Sequence, residues 1–182
     1  MKQLDNILGN TSPVKVIGST NINIAGLCID SREATVNSLF FALTGTQVDG
    51  HNYIDSAIAQ GAIAVICERL PNTLNPEVTY IVVSNSNQSL GVVASEFYDN
   101  PSHRLKLIGI TGTNGKTTTA TLLYRLASAL GEKSGLISTV QNQIGDKTIA
   151  STHTTPNAIE LNKLLSEMVN EQCTHCFIEV SS

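Results

Sequence analysis

The chain has 182 residues, 41% of them hydrophobic, with 11 basic and 15 acidic side chains and a formal net charge of −4. That length allows one large domain or two small ones, the charge leaves no basic excess for nucleic-acid binding, and no apolar run reaches the roughly 18–20 residues of a membrane span. The opening MKQLDNILGN lacks the apolar core of a signal peptide, and four cysteines, too sparse for a small secreted scaffold, are expected as reduced thiols in the cytoplasm.

Residues 14–29 read as extended, with Ile22 and Ile24 alternating and Leu27 and Ile29 in step. Asp30-Ser31-Arg32 follows. Beyond the apolar run 39–43 comes Gly45-Thr46-Gln47-Val48-Asp49-Gly50-His51. Two readings of these polar loops stand side by side: small-ligand sites at strand ends, or connectors in which Asp30 and Asp49 close Asx turns. Residues 52–60 predict a helix with Ile54, Ala57 and Ile58 on one face, stopped by Gly61. Residues 62–67 and 80–83 predict buried strands, and Ser86 or Asn87 is expected to cap a helix running to about Tyr98. Asp99-Asn100-Pro101-Ser102 breaks both periods and is the expected linker, dividing the chain into 1–101 and 102–182.

Residues 105–121, LKLIGITGTNGKTTTAT, are the most informative stretch. An apolar strand meets a tight polar loop, and Lys116, Thr117 and Thr118 open a helical pattern. That order builds a phosphate cradle: backbone N–H groups and the positive helix end face the anion. Lys116 would reach the β/γ-phosphates and the Thr117 hydroxyl would ligate Mg²⁺. The general pattern G-x-x-x-x-G-K-[ST] wants Gly at 110, where this chain has Ile110, so the narrower T-G-T-N-G-K-T-T remains.

The helix is expected over 116–130, stopped by Gly131, with weaker extended stretches at 134–139 and 148–150. Pro156 is expected in the first turn of a helix through Val169, with Ile159, Leu161, Leu164, Leu165 and Met168 on its apolar side. Residues 175–180 predict a buried strand. An open α/β domain normally has more strands than these, so the sequence is expected to be an N-terminal portion of a longer protein.

Thr154 or Thr155 could cap the helix that follows, or leave its N–H groups to an anionic ligand. Glu179, near the end of an apolar strand, is costly to bury unless it is paired or binds a cation, and Mg²⁺ is the natural partner beside a phosphate loop. Cys173-Thr174-His175-Cys176 has C-x-x-C spacing without a second ligand pair, and burial accounts for it. His51, His103 and His175 have no catalytic or metal-binding spacing and are expected as surface or packing residues.

Together these segments resemble the Mur ligases of bacterial cell-wall synthesis, and within them the enzyme that adds the third amino acid. Asp30-Ser31-Arg32, the stretch from Leu39 to Gly45, Asp49-Gly50-His51 and Gly61-Ala62 carry the first part of the resemblance. Thr111 to Thr118, Thr154-Thr155-Pro156 and Glu179-Val180-Ser181-Ser182 carry the second. The resemblance implies an α/β fold. A small N-terminal uridine-nucleotide-binding domain would be followed by the start of a phosphate-loop ATP-binding domain with a mainly parallel sheet.

It further implies ATP and Mg²⁺ as cofactors, UDP-N-acetylmuramoyl-dipeptide and an amino acid as substrates, and a monomer. Ile29, Ser31, Thr46, Gln47 and Val48 would meet the uridine diphosphate. Gly112, Thr113, Asn114, Gly115, Lys116, Thr117 and Thr118 would hold ATP, with Lys116 catalytic. His153, Thr154, Thr155 and Ser181 would hold the muramoyl-dipeptide, and Thr117 and Glu179 would share Mg²⁺. Ile29 stands where relatives often have Leu, and His153 where some have Asn. The implied chemistry is ATP-driven amide formation through an acyl phosphate. The pocket that chooses meso-diaminopimelate or L-lysine would lie outside this sequence; diaminopimelate is the more widespread version. The expectation for this stretch is binding without turnover. Two other readings compete. A folate polyglutamate or cyanophycin synthetase shares the T-G-T-N-G-K loop but leaves the first 100 residues unexplained. A nucleotide switch should carry an N-K-x-D base-reading motif, which is absent.

Overall fold

Two five-stranded sheets organise the chain, one in each of two units, Met1–Phe97 and Tyr98–Ser182. The computed structural model describes residues 1–45, 48–150 and 156–180.

The first unit runs β1 (Lys2–Gln3), α1 (Leu4–Leu8), β2 (Lys15–Ile17), β3 (Asn23–Ile24), β4 (Gly26–Cys28), β5 (Ser38–Phe41), α2 (Ile54–Ala59), β6 (Ala62–Cys67), β7 (Thr79–Val82) and α3 (Ser86–Phe97). Its sheet has the order β2-β7-β6-β5-β4, parallel except for the edge strand β2. Strands covered on both faces read as near-continuous apolar runs. Accordingly Leu39, Phe40, Phe41, Val65, Ile66, Tyr80 and Ile81 are all buried.

The extended stretch expected over 14–29 is broken into β2, β3 and β4, which pair with β7, β1 and β5 respectively. Gly18, at φ 101°, turns the chain directly after β2. The helix expected from 52 is also divided. A 3-10 turn, Gly50–Tyr53, precedes α2, and Asp49 caps that turn by accepting the His51 N–H. The cap of α3 is Asn85 rather than Ser86 or Asn87: Asn85 Oδ1 accepts the Gln88 N–H at 2.9 Å. The Ser86 hydroxyl is engaged instead by Glu68 at 2.9 Å.

In the second unit, Asp99 and Asn100 adopt left-handed conformations ahead of a 3-10 turn, Pro101–Arg104. Then follow β8 (Lys106–Ile110), α4 (Lys116–Ala129), β9 (Ser134–Ile137), β10 (Gln141–Ile144), β11 (Lys147–Ala150), α5 (Ala158–Asn170) and β12 (His175–Glu179). The sheet order is β11-β10-β9-β12-β8. Strands β9, β12 and β8 are parallel, and β10 and β11 extend them as an antiparallel hairpin. Neighbouring strand residues point to opposite faces. Thus Leu136 and Phe177 pack with Ala120 of α4, while Ile137 and Cys176 pack with Leu165 and Met168 of α5. The two helices cover opposite faces of the sheet.

Pro156 lies outside α5, not in its first turn. Asn157 is the cap, its Oδ1 accepting the N–H groups of Ile159 and Glu160, each at 3.0 Å. Asn157 therefore supplies the cap expected of Thr154 or Thr155.

Candidate functional site

Parallel pairing aligns the C-terminal ends of three strands in the second unit. Glu179 stands opposite Ile110, the last residue of β8, and Ile178 stands opposite Ile137, the last residue of β9. Such a carboxyl edge is where open α/β sheets bind ligands. The loop after β8 turns through Gly112 (φ 141°) and Gly115 (φ 80°), and Gly115 is the N-cap of α4. No side chain among the described residues caps that helix end, so its first N–H groups face the loop. Lys116 Nζ donates to the Gly112 carbonyl at 2.7 Å, closing the loop across its mouth. Thr113, Asn114 and Thr118 are exposed on its rim. Fixed N–H dipoles, a helix N-terminus and one ammonium together suit a polyphosphate.

Glu179 is only 4% exposed. Its Oε2 accepts three hydrogen bonds: from the Thr117 hydroxyl at 3.0 Å, the Thr139 N–H at 3.1 Å and the Thr139 hydroxyl at 2.9 Å. Burial by itself pushes this carboxyl up. The Thr139 and Thr117 donors, with the Lys116 charge, outweigh that push and hold it below the ordinary carboxylate value. Ser138 braces the turn that presents Thr139, its hydroxyl donating to the Gln141 carbonyl at 2.8 Å. Sequence reasoning did not single out Thr139. A hydroxyl pair directly after an apolar strand, as Thr111 follows β8, was the available signal.

The donor chemistry around Glu179 fits Mg²⁺. A carboxylate and a hydroxyl are hard oxygen ligands, and Mg²⁺ characteristically completes its shell with phosphates and water rather than a protein cage. Among the described residues no three His, Cys, Asp or Glu side chains gather as such a cage. Cys173 and Cys176 are buried free thiols, and burial pushes Cys176 up to about 12. His175 stacks on Phe177 with ring centroids 6.3 Å apart.

The first unit contains a cavity of about 780 Å³, within the usual range for small-molecule sites. Its lining comes from Ile29, Asp30, Ser31 and Arg32, from Phe40, Leu43, Gly45, Val48 and Gly50, and from Tyr53, Ser56 and Gln60 of the α2 segment. The Asx turns expected at Asp30 and Asp49 are both present in its lining or beside it. Asp30 closes an Asx turn onto the Arg32 N–H at 2.9 Å and takes the Arg32 guanidinium, contacts that hold its carboxyl down at about 2.

Of the residues expected to meet a uridine nucleotide, Ile29, Ser31 and Val48 line this one cavity. Thr46 and Gln47 lie outside the described residues, as do His153, Thr154, Thr155 and Ser181. Arg32, Tyr53, Ser56 and Gln60 were not anticipated as lining. The last three recur at helical spacing (i, i+3, i+7) flanking Ala57, a pattern that reads equally as a solvated helix face.

Residues 23–98 match the family described as "Mur ligase family, catalytic domain", and residues 110–182 match the "Mur ligase middle domain". A curated relative from Cytophaga hutchinsonii, named UDP-N-acetylmuramoyl-L-alanyl-D-glutamate--2,6-diaminopimelate ligase, is 51% identical over 99% of this chain and 37% of its own length. A solved structure of a ligase with that name is similar in fold, with TM-score 0.78 at 24% identity over 99% of this chain and 36% of its own. A Thermotoga maritima MurF ligase, solved in complex with ADP, gives TM-score 0.57 at 25% identity over 85% of this chain and 31% of its own. The chain thus spans 37% of the length of the curated relative it matches.

Proposed function

Because the chain belongs to the Mur ligase family, we propose that its two units are the uridine-nucleotide and ATP sites of a cytoplasmic ligase that adds meso-diaminopimelate to UDP-N-acetylmuramoyl-L-Ala-D-Glu. The observation that carries this reading is the meeting of Thr117, Glu179 and the phosphate loop at one sheet edge. The choice of diaminopimelate is supported by the name of the Cytophaga relative.

In the proposed reaction the D-Glu side-chain carboxylate attacks the γ-phosphorus, and ADP departs with the electrons of the bridging bond. The resulting acyl phosphate is attacked by the incoming amine, and phosphate leaves as the tetrahedral carbon collapses to an amide. Lys116 would neutralise charge on the phosphoryl oxygens, and the α4 N–H groups would orient the chain of phosphates. Thr117 and Glu179 would hold Mg²⁺, which supplies further charge neutralisation at the phosphates. In the first unit Ile29, Ser31 and Val48 would contact the uridine diphosphate.

Calorimetric titration of the purified chain tests the reading. UDP-N-acetylmuramoyl-L-Ala-D-Glu and Mg²⁺-ADP are expected to bind independently, each at one site. Binding of GTP in preference to ADP, with no response to the uridine ligand, would sink it.

A further inference from the structure

Glu179 ends β12, and Thr139 follows closely on the end of β9. The parallel pairing of these strands, with Ile178 opposite Ile137, brings both residues to one carboxyl edge. There Thr139 binds a single oxygen of Glu179 twice. Its N–H and its hydroxyl both donate to Oε2, at 3.1 Å and 2.9 Å, and the Thr117 hydroxyl donates to the same oxygen at 3.0 Å. Among the described residues no donor pairs with Oε1, and no polar side-chain atom is both fully buried and unpartnered. Oε1 is therefore the oxygen that solvent reaches.

The turn that presents Thr139 is built without help from that carboxylate. Ser138 Oγ donates to the Gln141 carbonyl at 2.8 Å and accepts the Gln141 N–H at 3.4 Å. The Ser138 N–H donates to Asn142 Oδ1 at 3.3 Å, and both residues are buried. Asn142 also pairs with Ile137 in the β9–β10 ladder. Thr139 is thus fixed by its neighbours and in turn fixes Glu179. The single proton of the Thr117 hydroxyl points at Oε2, so its oxygen keeps lone pairs for a cation. Three donors on Oε2 set the plane of the carboxylate. Two hard oxygen ligands, Oε1 and the Thr117 oxygen, then remain available.

We propose that Thr139 is a positioning residue for the metal-bound nucleotide: its hydroxyl and N–H hold Glu179 by Oε2, which leaves Oε1 and the Thr117 oxygen to receive the Mg²⁺ that accompanies a nucleoside polyphosphate. This rests on the reading of Thr117 and Glu179 as Mg²⁺ ligands. Thr139 acts on the metal only through the Glu179 carboxylate. Loss of a partner that orients a metal ligand typically costs about 10–100-fold in metal affinity.

Calorimetric ADP titrations of the whole chain, with Mg²⁺ and with EDTA in its place, test this on wild type, Thr139→Val and Thr139→Ser. Val keeps the shape and the N–H but removes the hydroxyl, whereas Ser keeps both donors. The wild type is expected to bind ADP more tightly with Mg²⁺. In Thr139→Val that gain should shrink by about tenfold, while affinity in EDTA stays within about twofold. Thr139→Ser should keep the gain to within about twofold. An undiminished gain in Thr139→Val overturns the proposal, as does an equal loss in both conditions, which marks a purely structural role. A Thr139→Ser chain as impaired as Thr139→Val overturns it too, because the hydroxyl is then not the cause. If wild-type ADP affinity ignores Mg²⁺, the Mg²⁺ reading of Thr117 and Glu179 fails and the proposal falls with it.

Discussion

The Thr117 hydroxyl donates to Glu179 Oε2 at 3.0 Å, joining the first turn of α4 to the end of β12 across 62 residues of chain. The same oxygen takes both donors of Thr139. A carboxylate held this way stays ionised although it is buried, and it stands beside the helix end where phosphates are expected.

Glu179→Gln should lower stability by about 1–3 kcal/mol, since a neutral amide oxygen accepts the three donors on Oε2 more weakly than a carboxylate does. The pH dependence has a definite sign. The folded carboxyl sits below its ordinary value, so its contribution is complete above the unfolded value of about 4.3 and is lost as pH falls through the lower folded value. Urea midpoints measured from neutral pH down into that acid window should converge for the two proteins. A gap that stays constant throughout would show that Glu179 is not the titrating group.

Lys116→Ala should leave the urea midpoint unchanged, because the Lys116 ammonium makes an exposed hydrogen bond to the Gly112 carbonyl. ADP affinity should fall roughly 10–100-fold, the loss of a charged hydrogen bond to phosphate. Wild-type ADP affinity in this variant would remove Lys116 from the nucleotide site.

Gly61→Ala should destabilise the first unit by about 1–3 kcal/mol. Gly61 has φ +112°, and an added Cβ would stand 2.8 Å from Val36 Cα and 2.9 Å from Val36 N. Both neighbours are backbone, so relief requires the chain to move. Thermal unfolding reads the effect, and an unshifted Tm would contradict it.

Asn157→Ala should cost about 1 kcal/mol through loss of the α5 cap, with Asn157→Asp close to wild type. Thr154 and Thr155 substitutions should leave this capping contribution in place, because Asn157 supplies both acceptor contacts. The comparison is a set of urea midpoints.

Local chemistry made much of the second unit legible. An apolar run ending at Ile110, two glycines and a Lys-Thr pair predict strand, loop and helix, and these appear as β8, the loop through Gly112 and Gly115, and α4. Gly61 and Gly131 mark helix ends by taking positive φ, a property visible in one residue. Strand β10 escaped detection because Gln141-Asn142-Gln143-Ile144 has almost no apolar signal and owes its conformation to pairing with β9 and β11. The caps at Asn85 and Asn157 were displaced from expectation because several neighbouring residues are equally good cappers, and packing chooses among them.

The amino-acid sequence by itself determined the alternation of α and β elements and the glycine-bearing loop between β8 and α4, since both depend on spacings of a few residues. Tertiary structure alone decided that Thr139 meets Glu179 from 40 residues away, that Ile29, Val48 and Tyr53 share one cavity, and that His51 bridges Asp49 to Glu68. The physical reason is that sheet register and strand order bring these groups within hydrogen-bond reach. Each donor and acceptor, read in isolation, has several possible partners.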